Sequence, residues 1–193
     1  IENPPDQFAL HSADEDTITQ VLVEIVENRL RKNGEIAGFD TVRFGRVTRE
    51  QKITNFDKKH PDKMPDFFID LKRAQYPILS DQDGLFVECK PVDRKHGISS
   101  CYCNLGLRRF VIGDYAWAMQ DALMVGYVKG HYPFTKLATV LDHSKKGSNL
   151  KTMSHGSVYN RSIYRSIHKR AFAWPEGRGD ACRISVSHLW LSR

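Results

Sequence analysis

Five times the sequence places an acidic residue two positions before a lysine: Glu50-Gln51-Lys52, Asp57-Lys58-Lys59, Asp70-Leu71-Lys72, Glu88-Cys89-Lys90 and Asp93-Arg94-Lys95. Glu88-Cys89-Lys90 closes an apolar run, Leu85-Phe86-Val87. In a strand, the two-residue side-chain period puts Glu88 and Lys90 on one face and turns Val87 and Cys89 to the other. Upstream, Pro65-Asp66 heads a second apolar run, Phe67 to Leu71. A hairpin of the two runs would set Asp66 beside Glu88. Neighbouring carboxylates repel, and a hard divalent cation such as Mg²⁺ relieves that by taking oxygen ligands from both while keeping several waters. Such a group suits phosphodiester hydrolysis, in which a cation polarises the phosphoryl oxygen and acidifies water while Lys90 orients or deprotonates the nucleophile. The same Glu/Lys pair facing solvent from an edge strand would be an ordinary surface ion pair.

Pro65-Asp66 followed by Glu88-Cys89-Lys90, set in the order helix, three strands, helix, strand, resembles the PD-(D/E)xK nuclease superfamily with its restriction-endonuclease-like fold. The resemblance spans about residues 14 to 128 and does not extend to residues 143 to 193. It implies Asp66 and Glu88 as metal carboxylates, with Cys89 between Glu88 and Lys90 as a further metal-site residue. It also implies Lys90 as the catalytic lysine, an acidic residue of the first helix as a further metal or water ligand, and Mg²⁺ as cofactor with Mn²⁺ as the substitute.

The elements that must position these residues are legible in the spacing. Ser12 to Thr17 is rich in capping side chains, and Ile18, Val21, Leu22, Ile25, Val26 and Leu30 then recur at helical spacing, predicting a helix over 15–32. Arg29, Arg31 and Lys32 near its end and Gly34 beyond it fit the macrodipole and C-cap rules. At about 100° per residue, Glu15 and Asp14 fall on the side of Ile18, Leu22 and Ile25, whereas Glu24 and Glu27 fall outside it. Glu15 is therefore the candidate helix acid, although an acid in a first turn also simply stabilises the helix dipole.

Strands are expected over 39–47, 67–71 and 85–89, with a basic polar loop over 48–64. A second helix is expected over 104–120, interrupted in composition by Gly106 and Gly113, and Tyr102 precedes it. It carries Arg108-Arg109, and one guanidinium facing inward could clamp a phosphate. Arg109 is the candidate; two solvated arginines are the plain alternative. Ala122 to Val128 reads as a buried strand, 133–141 as a short helix, 143–157 as a polar loop, and 158–165 and 183–191 as strands.

The chain has 193 residues, 40% hydrophobic and 27% charged, which suits a single globular domain rather than a disordered tail. No apolar run approaches the roughly 20 residues that span a bilayer, and Ile1-Glu2-Asn3-Pro4-Pro5 does not read as a signal peptide, so a soluble chain without a membrane partner is expected. Opening on Ile1 rather than Met, it is expected to be trimmed or part of something longer. Cysteines at 89, 101, 103 and 182 form no CxxC pair, which points to a reducing cytoplasm rather than a disulfide framework. A zinc site from His96, Cys101 and Cys103 lacks the usual ligand count. No Gly-x-Ser-x-Gly turn supports Ser-His-Asp chemistry.

Net charge is +6, which favours polyanionic partners, though ordinary solubility explains it as well. From His143 to Pro175 there is no acidic residue, while Lys145, Lys146, Lys151, Arg161, Arg165, Lys169 and Arg170 are interleaved with Tyr159, Tyr164, Phe172 and Trp174. Phosphate neutralisation with aromatic stacking needs this mixture. Lys145, Lys146, Lys151, Arg165, His168 and Arg170 are the candidate nucleic-acid contacts, and a solvated surface is the alternative.

The expected fold is thus α/β: a restriction-endonuclease-like mixed central sheet flanked by helices, with residues 1–142 as the core and 143–193 as a basic C-terminal extension of the same domain. The expected function is a Mg²⁺-dependent endonuclease acting on DNA, with a homodimer as the arrangement that would allow paired cuts. A non-cleaving nucleic-acid-binding module on the same fold and an RNA-directed nuclease are the alternatives.

Overall fold

In the computed structural model, residues 12–73, 82–144, 149–158 and 163–193 are described. The first helix begins where the capping residues place it: Asp14 Oδ1 accepts the Thr17 N–H at 2.7 Å. Helix α1 (Glu15–Glu24) runs directly into a π-helical segment (Ile25–Lys32), whose end is marked by the Asn33 N–H donating five residues back to Asn28 O. The expected span is therefore helical throughout, but the wider turn changes which side chains face in. Glu27, expected to point to solvent, instead accepts the Val47 N–H at 3.1 Å and pairs with the buried Arg31. The Arg31 hydrogen bond holds the Glu27 carboxyl down at about 2. Glu24 is exposed, as its angle predicts.

The strands are β1 (Phe44–Arg49), β2 (Phe67–Leu71), β3 (Gly84–Val92), β4 (Asp121–Val128), β5 (Thr152–Val158), β6 (Ile163–His168) and β7 (Ile184–Ser192). They form one seven-stranded sheet in the order β1-β2-β3-β4-β7-β6-β5. β3, β4 and β7 are mutually parallel in the centre, and the other pairings are antiparallel, so the sheet is mixed. β5, β6 and β7 thus belong to the same sheet as the first four strands, and β7 sits inside it between β4 and β6. The stretch expected as a loop over 143–157 contains β5 except for its last residue, Val158. None of the described helices is long and apolar enough to cross a membrane.

The second helix is displaced upstream of its expected position. A π-helical segment (Ile98–Leu107) leads into α2 (Arg108–Ile112), and Gly113, at φ 80°, ends the helix with a left-handed cap. Helix α3 (Phe134–Ser144) lies after β4. On one sheet face, Ile18 and Val23 of α1 bury against Val47, Phe67, Ile69, Val87, Cys89, Val125 and Tyr127. On the other, Tyr102, Leu107, Phe110, Leu137 and Leu141 cover Phe68, Phe86, Met124 and Val186.

Two residues expected to touch nucleic acid are instead fastenings of this core. Arg170 is 3% exposed and donates to the carbonyl oxygens of Phe110 and Ala116 at 2.9 Å, of Cys182 at 3.2 Å, and of Met119. One guanidinium thus ties the end of α2 and the loop after it to the approach to β7. Four of its five N–H donors are taken by backbone carbonyls, and its burial keeps a phosphate from reaching it. His168 is fully buried in a chain of hydrogen bonds whose direction is fixed by its end. Leu150 O can only accept, so His168 Nδ1 donates to it at 2.8 Å, and His168 Nε2 accepts from Ser166 Oγ at 2.7 Å. Ser166 Oγ in turn accepts from His188 Nε2 at 2.8 Å, leaving His188 Nδ1 to accept from the Tyr102 hydroxyl at 3.1 Å. With both imidazoles neutral, every member of the chain is satisfied.

Replacing Arg170 by Ala should strand four buried carbonyls and lower stability by about 3 kcal/mol, read from the urea midpoint at neutral pH. A variant as stable as the parent would remove this role. Burial holds His168 down to about 4 and His188 to about 3, below the roughly 6.5 of an exposed imidazole. The unfolded chain therefore binds protons here that the native state refuses. The pair's contribution is fully present above about pH 6.5 and is lost as pH falls toward 4, by up to about 1.4 kcal/mol per pH unit for each imidazole. Side-chain ¹⁵N shifts should find both rings neutral at pH 5.5 in the folded protein; a protonated ring there would contradict the chain described.

Candidate active site

The site is made by a break in the sheet. β2 and β3 pair as far as Phe67 opposite Val87, and carrying that register one residue further sets Asp66 across from Glu88. There the main chains part, and the Asp66 side chain takes over the ladder: its Oδ2 accepts the Cys89 N–H at 2.5 Å. Glu88 and Lys90 project from the β3 face that carries Phe86 and Val92, toward the second helix. Gly106 lets the helix approach, since a Cβ there would lie 2.7 Å from Met124 Cε and 3.2 Å from Lys90 Cγ. Glu15, in the first turn of α1, reaches the same opening from the other sheet face.

Four oxygens surround the Lys90 ammonium. Glu88 Oε1 and Cys89 O are each 2.8 Å from Nζ, and Asp66 Oδ2 and Glu15 Oε1 are each 3.6 Å away. The hairpin expectation and the inward placement of Glu15 are both met. Of the two arginines, Arg109 reaches the cluster, its Nη1 3.4 Å from Glu88 Oε1.

Glu88 is completely buried. Burial first, and the Asp66 charge second, push its carboxyl up to about 7 against the opposing pull of Lys90 and Arg109. Burial likewise raises the Glu15 carboxyl. Burial would lower Lys90, but the Glu88, Asp66 and Glu15 carboxylates outweigh it and hold the ammonium above its ordinary value. These carboxylates favour the ammonium form of Lys90. The two oxygens of Glu88 are treated differently. Oε2 accepts the hydroxyl of the buried Tyr115, whereas Oε1, for all its nearby cations, receives no hydrogen bond of proper geometry.

Other expected residues stand elsewhere. The Cys89 thiol lies on the opposite face, packed with Val87, Val125 and Tyr127, and burial raises it far above the ordinary thiol range. Only its main chain meets the site. Lys151 and Arg165 are exposed. Arg165 alternates along β6 with the buried Tyr164 and Ser166, so it projects from the sheet face opposite to Glu88. Lys169 pairs with Asp180, and His168 and Arg170 are buried. Phe172 stacks on Phe56 and Trp174 meets Trp117 edge to face, so these rings are packed rather than offered to bases. Lys145, Lys146, Tyr159 and Arg161 lie outside the described residues.

Sequence reasoning missed Tyr115. The signal available was Gly113, whose left-handed cap ends the helix two residues earlier and frees Tyr115 to turn back toward β3.

Among the described residues, no three His, Cys, Asp or Glu side chains form a metal cage by themselves. The donor set at the opening is two carboxylates and one carbonyl, all hard oxygen. That chemistry fits Mg²⁺ or Mn²⁺ rather than a soft ion. No family model matches the chain, and neither a curated protein nor a solved structure matches it.

Exchanging Cys89 for Ala should lower stability by about 1 kcal/mol through lost packing, while Mn²⁺ affinity, measured by calorimetry, stays within twofold of the parent. A larger loss of affinity would show that the thiol itself reaches the cation.

Proposed function

We propose that this chain is a Mg²⁺- or Mn²⁺-dependent nuclease of restriction-endonuclease-like fold that cuts DNA internally. The observation that carries the reading is the convergence of Glu15, Asp66, Glu88 and Lys90, from three separate elements, on one opening in the sheet. A solvent-facing ion pair would not bury Glu88 completely or enclose Lys90 among four oxygens.

Asp66, Glu88 through Oε1, and the carbonyl of Cys89 would hold the cation. When bound, it supplies charge to polarise a phosphoryl oxygen and to acidify water. Lys90, kept protonated by its carboxylate neighbours, orients the attacking water by donating to its oxygen and offsets the charge that builds on the phosphoryl group. Glu15, at the solvent side of the cluster and partly exposed, accepts a proton from that water or holds it in line. Arg109 is 40% exposed and has guanidinium donors to spare beyond Glu88, so it binds a non-bridging phosphate oxygen. Substrate contacts beyond the scissile phosphate fall to the exposed Lys151 and Arg165 only if the nucleic acid wraps round the sheet edge, since Arg165 leaves from the other face.

Plasmid, linear duplex, single-stranded DNA and RNA incubated with and without Mg²⁺ test this reading directly. Plasmid should be nicked or linearised with Mg²⁺ alone, and Asp66→Ala and Lys90→Ala should each reduce the rate by about 10²–10⁴-fold while the variants stay folded. Cleavage confined to RNA would move the substrate class, and binding without cleavage by the parent chain would leave a nucleic-acid-binding module in place of an enzyme.

A further inference from the structure

We infer that Tyr115 is a positioning residue for the cation site: by occupying one oxygen of Glu88, it makes that carboxylate a single-oxygen ligand. This rests on the metal-dependent reading above.

The Tyr115 hydroxyl donates to Glu88 Oε2, and neither residue is exposed at all. A buried phenol beside a carboxylate has one direction in which to place its proton. The ring itself is held on two sides, lying parallel to Phe86 at a centroid distance of 6.2 Å and edge to face with Phe110 at 5.1 Å. The chain that delivers it is also constrained, with Gly113 at φ 80° before it and Ala116 at φ 52° after it. The donor is therefore fixed by packing before any cation arrives.

The consequence falls on the other oxygen. With Oε2 committed, Glu88 cannot rotate to chelate the Lys90 ammonium or the Arg109 guanidinium with both oxygens, and Oε1 stays aimed at the opening, without a well-directed hydrogen bond. Mg²⁺ favours such single-oxygen carboxylates, because it keeps near-octahedral geometry and several waters, whereas two-oxygen chelation crowds its shell. An outer partner that orients a ligand typically contributes 10–100-fold to metal affinity.

Tyr115→Phe keeps the ring and its packing and removes only the donor. Mn²⁺ binding to the full chain, without nucleic acid, should weaken about 10-fold or more by calorimetry and by the spectrum of free Mn²⁺. Affinity for duplex DNA in EDTA should stay within twofold of the parent. Both are to be measured well below the melting temperature of the variant, so that a loss of stability alone cannot produce the first result. Glu88→Gln supplies the second arm: in that background, adding Tyr115→Phe should change Mn²⁺ affinity less than twofold, because the group being positioned is gone. A folded Tyr115→Phe protein with parental Mn²⁺ affinity overturns the inference alone. A parent chain that binds no Mn²⁺ overturns the metal reading and this inference with it.

Discussion

A fully buried carboxylate in contact with an ammonium group is the constraint around which this protein is arranged. Taking Glu88 and Lys90 out of water costs several kcal/mol per ion, and their mutual attraction recovers that only if further groups complete the cluster. Asp66, Glu15, Arg109 and Tyr115 are those groups, and each comes from a different place in the chain. α1 must begin at its Asp14 cap so that Glu15 stands in the first turn, and β2 must part from β3 at Asp66. The second helix must end at Gly113 for Tyr115 to turn in. The raised carboxyls of Glu88 and Glu15 are what such a buried cluster produces.

The rest of the sheet supports that break rather than competing with it. β3, β4 and β7 form a parallel centre with apolar side chains on both faces, so that the opening beside β2 lies next to the best-buried part of the molecule. The C-terminal half contributes to this directly. Arg170 fastens the segment between α2 and β4, the same segment that carries Tyr115, to the approach to β7. The Tyr102–His188–Ser166–His168 chain then links the second helix to β6 and β7. A residue type associated with nucleic-acid contact is, in both cases, a fastening of the site's scaffold.

The sheet also separates two roles that sequence places together. Cys89 sits between two residues of the cluster, but alternation sends its thiol into the α1 face while its carbonyl remains by Lys90. Arg165 lies in the most basic stretch of the chain, yet the same alternation directs it away from the face of Glu88. Cationic composition therefore describes where charge lies along the chain, whereas among the described residues Lys90 and the exposed part of Arg109 stand at the opening itself.

What could be read without coordinates was local. The periodicity of Ile18 to Leu30 and the capping side chains of Ser12 to Thr17 determined a helix over 15–32, and the turn angle of Glu15 determined which way it faced. The parity of Glu88 and Lys90, the apolar runs of β2 and β3, and the hairpin between them sufficed to bring Asp66 to Glu88. These follow from residue spacing and from contacts between sequence neighbours. The tertiary structure alone decided the rest. The burial of Arg170 and His168 depends on β7 entering the sheet between β4 and β6, a long-range pairing that composition does not encode. The inward turn of Glu27 depends on a change of helical pitch, and the placement of Tyr115 on a left-handed cap at Gly113. A basic or aromatic side chain looks the same in a one-dimensional pattern whether it meets water or a row of buried carbonyls; only the packing of distant strands settles which, because desolvation is a property of the whole fold and not of the local chain.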